Sequence, residues 1–133
     1  MKRRIRWVPE AAVRAVHGEL IAEHGGVPGM RDPGLLISAL ASPRNRRVYG
    51  EASGIVELAA AYGSAIARNH PFIDGNKRVA LMTGFIFLEM NGWQLVATEV
   101  DAVDAMVRLA VGSMSEKALA DWIRTNSEKI GGA

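Results

Sequence analysis

There is no cysteine anywhere in the chain, so neither a disulfide framework nor a thiolate metal site is available to it. No hydrophobic run is long enough to span a bilayer. The longest, VALMTGFIFLEM from Val79 to Met90, already includes Glu89, so no membrane role is expected. The amino terminus, MKRRIRWVPEAAV, is basic but has neither the unbroken apolar stretch nor the small-residue cleavage site of a secretory signal. The cytoplasm is therefore the expected compartment. Charge of one sign is scarce as well, since 16 Lys and Arg against 14 Asp and Glu leave a net +2. The cations gather in two clusters, Lys2, Arg3, Arg4 and Arg6, then Arg44, Arg46 and Arg47. Each is able to meet a phosphate or an acidic protein, or simply to stay solvated. What is present is a chain of 133 residues, 49% hydrophobic and 23% charged. That supports one cored domain, 1–133, but not two.

Strand-like alternation persists nowhere, and there is no repeat or linker; helical spacing dominates. Pro9 opens a helix with Ala12, Val13, Val16, Leu20 and Ile21 on one face, ended by Gly25 and Gly26. VPGM reads as a turn, after which Asp32 caps a short helix with Pro33 just inside it. PRNRRVYGEAS, Pro43 to Ser53, is polar and irregular, a loop or a small hairpin. Helix resumes at Gly54, with Ile55, Leu58, Ala59, Tyr62 and Ile66 on one stripe. Val79 to Met90 is apolar on nearly every side, as in a helix enclosed by others. Thr98 caps a helix whose face is Val100, Val103, Val107 and Ala110. Ser113 and Glu116 have capping-box spacing before a last helix that turns Leu119, Trp122 and Ile123 inward. Trp7, Trp93 and Trp122 read as packing residues rather than base-stacking platforms. The expected fold is all-α, a compact bundle of about six helices.

One segment breaks this pattern. RNHPFIDGNKRVAL, Arg68 to Leu81, sets a cluster of polar groups between the two most apolar helices. His70 ends the first of them, and Gly75 to Arg78 form the opening turn of the second. An opening turn exposes unpaired N–H groups at the positive end of the helix dipole, which suits an anion. Gly75, lacking a Cβ, lets a phosphate approach that backbone. Asn76 adds an amide donor, and Lys77 and Arg78 add charge, the guanidinium being able to grip two phosphate oxygens at once. Consecutive helical residues point about 100° apart, so Lys77 and Arg78 serve different oxygens. Asp74 would repel a phosphate unless Mg²⁺ lay between them. His70 is the side chain suited to take a proton near neutral pH. A base, a metal carboxylate and a phosphate cradle together belong to transfer of a phosphorus-centred group onto a hydroxyl. Singly, each residue has a plainer reading: Asp74 a helix N-cap, His70 a capping side chain, Lys77 and Arg78 a solvated turn. Cations in a first turn oppose the dipole, however, at up to about 1 kcal/mol, which a negative ligand relieves. His17 and His24 lie seven apart on one helix, whereas a helix pair of zinc ligands sits closer to four apart.

HPFIDGNKR, His70 to Arg78, resembles the motif of the Fic/Doc family, His-x-Phe-x-Asp/Glu-Gly/Ala-Asn-x-x-Arg in loose form. It is most similar to the Doc (death-on-curing) branch, which has NKR where adenylylating Fic enzymes usually have NGxxR. ELIAEHGGVPGMRDPGLLISAL, ELAAAYGSAIARNH and FIFLEMNG also read like the family, in the same order. The resemblance implies an all-α bundle with the motif loop between its two central helices. It implies that His70 is the general base on a target Ser or Thr hydroxyl, that Phe72 packs inward and holds the loop, and that Asp74 binds Mg²⁺. Gly75, Asn76, Lys77 and Arg78 would hold the phosphates of ATP. A flap that docks the target would fall at Pro43 to Ser53.

Fic-type enzymes move AMP, whereas Doc resembles a kinase with its nucleotide bound the other way round. Lys77 stands where an adenylylating enzyme normally has glycine, which points to γ-phosphate transfer. Pro71 and Gly75 are also common among adenylylating members, so AMP transfer is the alternative. The resemblance further implies the toxin of a type II toxin–antitoxin pair, with a Phd-like antitoxin as partner. Its protein substrate would be a translation factor such as elongation factor Tu. Self-inhibited Fic proteins carry Ser/Thr-x-x-x-Glu-Gly/Asn; here SGIVE, Ser53 to Glu57, is followed by Leu58, so restraint by a separate protein is expected. A non-enzymatic module gripping nucleic acid through the arginine clusters leaves His70, Asp74 and Asn76 idle, and direct nucleic-acid binding is not expected.

Overall fold

Side-chain caps open three of the six described helices. The computed structural model describes residues 4–48 and 54–130. Within them run α1 (Glu10–His24), α2 (Pro33–Val48), α3 (Ile55–Asn69), α4 (Asn76–Met90), α5 (Glu99–Ala110) and α6 (Glu116–Thr125). Asp32 Oδ1 accepts from the Gly34 N–H at 2.9 Å where α2 begins, with Pro33 in its first turn. Thr98 does the same for α5, accepting from the Asp101 N–H at 3.2 Å. The cap of α6 is Ser115, not Ser113: Ser115 accepts from the Ala118 N–H at 3.0 Å. Ser113 instead donates its hydroxyl to the Arg108 carbonyl at 3.2 Å, closing the end of α5.

α3 and α4 form the central pair, in the largest helix–helix contact of the fold, with α2 and α6 against α3 and α1 and α5 against α4. Their closeness follows from small side chains. α3 is buried continuously from Leu58 to Ala67, and on α4 a Cβ at Gly84 would come within 3.3 Å of the Ala59 carbonyl oxygen. Tyr62, Phe87, Leu58, Ile66, Leu88 and Val79 fill the centre. The Tyr62 hydroxyl accepts from the Val8 N–H at 3.1 Å, pinning the segment before α1, and burial pushes its phenol pKa up. The all-α expectation holds apart from a small antiparallel ribbon of β1 (Trp93–Leu95) and β2 (Ser127–Lys129), with Trp93 opposite Lys129. Three residues per strand are too few for alternation to register in the sequence.

Two further expectations are overturned. The stretch expected to leave the helix at Pro43 continues α2 to Val48, with Pro43 buried inside it. An interior proline forfeits a helix hydrogen bond, and burying its ring offsets that loss. The arginines there are consequently engaged: Arg44 lies over the Trp7 ring at 5.2 Å and Arg46 pairs with Glu116. The rest of the expected flap, residues 49–53, and the cations Lys2 and Arg3 lie outside the described residues. On α5 the inward face is Ala102, Ala105, Met106 and Leu109, while Val100 is 78% exposed. The helix carries two apolar stripes, and the one with alanines admits the closer approach. Among the described residues no helix is long and apolar enough to cross a membrane.

Candidate active site

The motif loop joins the central helices, as expected, and it is held from both sides. His70 ends α3 in the left-handed conformation (φ 50°, ψ 56°), alone among the described non-glycine residues in having positive φ. Histidine visits this region more readily than most residues, but the conformation still needs support. Arg31 supplies it. Its Nε donates to the His70 carbonyl at 2.7 Å and its Nη2 to the Asn69 carbonyl at 2.8 Å, placing a cation at the negative end of α3. The N–H groups of Arg31 and Asp32 then donate to the Pro71 carbonyl at 2.8 and 3.0 Å, and the Ile73 N–H donates to the Gly29 carbonyl at 3.1 Å. VPGM is therefore more than a turn: its end and the residues just after it are the template on which HPFID is laid.

Phe72 is 2% exposed and stacks on His17 of α1, ring centroids 3.9 Å apart. The inward packing expected of it is present. Asn76 is also buried, and here the sequence expectation changes. Its Oδ1 accepts from the Phe72 N–H at 3.0 Å, its Nδ2 donates to the Phe72 carbonyl at 2.9 Å, and Nδ2 lies 3.3 Å from His70 Nδ1. The side-chain amide expected to reach a phosphate is consumed in closing the loop and facing the imidazole.

Gly75 (φ 80°) is the N-cap of α4, and no side chain caps that helix. Asp74, whose plainest reading was an N-cap, does something else. Its Oδ1 accepts from the adjacent Gly75 N–H at 2.9 Å and its Oδ2 from the Val27 N–H at 3.2 Å. A carboxylate has about four accepting positions, so roughly half remain open to a cation. Asp74 thus fits Mg²⁺ as a single protein ligand, which is how Mg²⁺ is often held when phosphates complete its shell. Among the described residues no group of three or more His, Asp or Glu could hold a metal ion unaided.

His70, Asp74, Gly75, Asn76, Lys77 and Arg78 all line one cavity of about 400 Å³. The six residues singled out in the sequence converge. The opposite wall comes from the end of α1, through Leu20, Ile21, His24 and Gly25, which no local motif marked. His24 sits in the last turn of α1, where a cationic imidazole suits the dipole, and in this wall as well. Arg78 also lines a neighbouring groove of about 430 Å³ whose floor includes Leu81, Phe85 and Val103. Glu57 lies elsewhere: it accepts from Arg124 at 2.9 Å and lines a separate charged groove with Arg46 and Glu116.

Gly26 lies tight against the site. At its φ of 119°, an added Cβ would come 2.8 Å from Asp74 Oδ2. Gly26→Ala is expected to cost about 1–3 kcal/mol of stability from backbone strain and to displace the carboxylate. Urea denaturation reads the first effect, and shifted NMR amide signals of Val27 and Gly75, the two N–H donors to that carboxylate, read the second.

Residues 7–88 match the Fic/DOC family. Over 116 residues the chain is 38% identical to a protein named "Protein kinase doc" from Escherichia phage P1, an alignment covering 87% of this chain and 90% of that one. It is 41% identical over 86 residues to "Toxin Doc" of Mycolicibacterium smegmatis, covering 62% of this chain and 65% of the relative.

Proposed function

The chain belongs to the Fic/DOC family, in its Doc branch, and from that premise we propose that it is the toxin of a type II toxin–antitoxin pair which transfers the γ-phosphate of ATP to a Ser or Thr hydroxyl of a protein. The observation that carries this reading is the convergence in one cavity of an imidazole, a half-satisfied carboxylate and a helix end that has two cations and no side-chain cap.

The N–H groups opening α4 and the side chains of Lys77 and Arg78 bind phosphate oxygens. Asp74 would hold Mg²⁺, which when bound neutralises phosphate charge beside that carboxylate. His70 takes the proton of the acceptor hydroxyl as its oxygen bonds to the γ-phosphorus; the bridging P–O bond breaks and ADP leaves. Alignment and charge stabilisation supply most of the acceleration in such a transfer. With Asn76 Nδ2 facing His70 Nδ1, the neutral ring carries its proton on Nε2. Proton uptake at either ring nitrogen therefore requires that 3.3 Å contact to be released as substrate binds, which frees the Nδ1 lone pair or lets the ring take its other tautomer and bare Nε2.

Lys77 favours a kinase over an adenylyltransferase, because a long cationic side chain at that position crowds one phosphate-binding mode and neutralises another. The names borne by the relatives, a protein kinase and a toxin, support the same reading. A Phd-like antitoxin is the expected restraint, a translation factor such as elongation factor Tu the expected target, and the cytoplasm the place of action. Purified protein incubated with cell extract and ATP labelled at either the α- or the γ-phosphate tests the reaction. Label is expected on protein from γ-labelled ATP only; transfer of α-label would establish adenylylation instead.

A further inference from the structure

We propose that His17, on α1 and outside the motif loop, is a positioning residue that sets the orientation of the Asp74–Gly75 peptide and, through it, the carboxylate of Asp74. The inference deepens the phosphotransfer reading and rests on it for its consequence in metal-dependent nucleotide binding.

His17 is 5% exposed. Its ring lies within 11° of parallel to Phe72 at 3.9 Å, and its Nε2 is 2.8 Å from the Asp74 carbonyl oxygen. A carbonyl only accepts, so Nε2 carries the hydrogen and donates. The same ring underlies Gly75, where an added Cβ would stand 3.7 Å from His17 Cδ2 and Nε2. One imidazole therefore touches Phe72 and Asp74 and lies beneath Gly75. It does not line the cavity, so it acts through the loop and not on a ligand.

The consequence follows from peptide planarity. In a trans peptide the C=O and N–H point to opposite sides. Drawing the Asp74 carbonyl toward α1 turns the Gly75 N–H the other way, onto Asp74 Oδ1 at 2.9 Å. That bond and the one from the Val27 N–H to Oδ2 fix both carboxylate oxygens. Without the His17 donor the peptide is free to rotate, and the carboxylate loses one of its two anchors.

His17→Phe keeps a ring to stack on Phe72 and removes the donor; His17→Gln retains an N–H donor. In the nucleotide-free protein, the Gly75 amide proton of His17→Phe is expected to exchange with solvent about three- to tenfold faster by NMR, the worth of one hydrogen bond. Its calorimetric affinity for a non-hydrolysable ATP analogue should fall about tenfold with Mg²⁺ present and stay unchanged in EDTA. His17→Gln should restore both. Unaltered Gly75 protection in His17→Phe, or equal losses of affinity with and without Mg²⁺, overturns the proposal. If the parent protein fails to bind the analogue, the nucleotide reading falls, and the Gly75 exchange rate still decides the role of His17.

Discussion

His70→Ala is expected to lower the rate of label transfer from γ-labelled ATP by about 10²–10⁴-fold, the usual share of a positioned general base, and to leave nucleotide affinity close to that of the parent. The residual rate is expected because the opening turn of α4, with Lys77 and Arg78 proposed to hold the phosphates, is untouched. Alanine alone does not isolate the chemistry, since position 70 has φ 50° and a left-handed alanine adds strain of about 1–2 kcal/mol. His70→Asn separates the two effects: asparagine tolerates that backbone but is no base near neutral pH. Both variants should lose turnover, and only the alanine variant should also lose thermal stability. Growth of a host expressing either variant should recover in step with the lost turnover. An asparagine variant that transfers phosphate at the parent's rate would end the assignment of His70 as base.

The site was legible in the sequence to the extent that it is contiguous. His70, Asp74, Gly75, Asn76, Lys77 and Arg78 lie within nine positions, so helix-end geometry alone groups them, and the structure places all six on one cavity. The facing wall was less legible, because Leu20, Ile21, His24 and Gly25 come from α1, some fifty residues earlier, and nothing in their spacing ties them to the loop. His17 had a weak one. It follows Val13 by four positions in the middle of an apolar face, and a histidine at such a place needs a buried acceptor, which the Asp74 carbonyl provides.

Elsewhere the misses share a cause, competition between local preference and packing. Pro43 normally argues against helix interior, yet α2 passes through it because the ring is buried. On α5, Val100, Val103 and Val107 are the more hydrophobic stripe, but Ala102 and Ala105 face inward because closeness to the neighbouring helices favours small side chains. Ser113 and Ser115 were both available to cap α6, and the choice depended on where α5 ended.

Asn76→Ala is expected to unfold at markedly lower urea concentration, with stability reduced by about 3 kcal/mol. The figure follows from the groups it strands: the Phe72 N–H and carbonyl both lose their Asn76 partner in a buried setting, and each unsatisfied group costs about 1–3 kcal/mol, partly relieved if water enters. Phe72 is the inward anchor of the loop, so loosening it also frees the His17 stack and the imidazole that Asn76 faces. Asn76→Asp sharpens the test. One carboxylate oxygen can still accept from the Phe72 N–H, but the donor toward the Phe72 carbonyl becomes an acceptor and the two repel. That variant should be destabilised as well, and more at neutral pH than near pH 4, where protonation of the new carboxyl restores a donor. The competing assignment, an amide reserved for phosphate, predicts the reverse pattern: near-parental urea midpoints for both variants, and a loss confined to nucleotide affinity. Unfolding free energies within about 0.5 kcal/mol of the parent, the range of ordinary surface substitutions, would return Asn76 to the phosphate cradle and leave the loop's closure to Arg31 and His17.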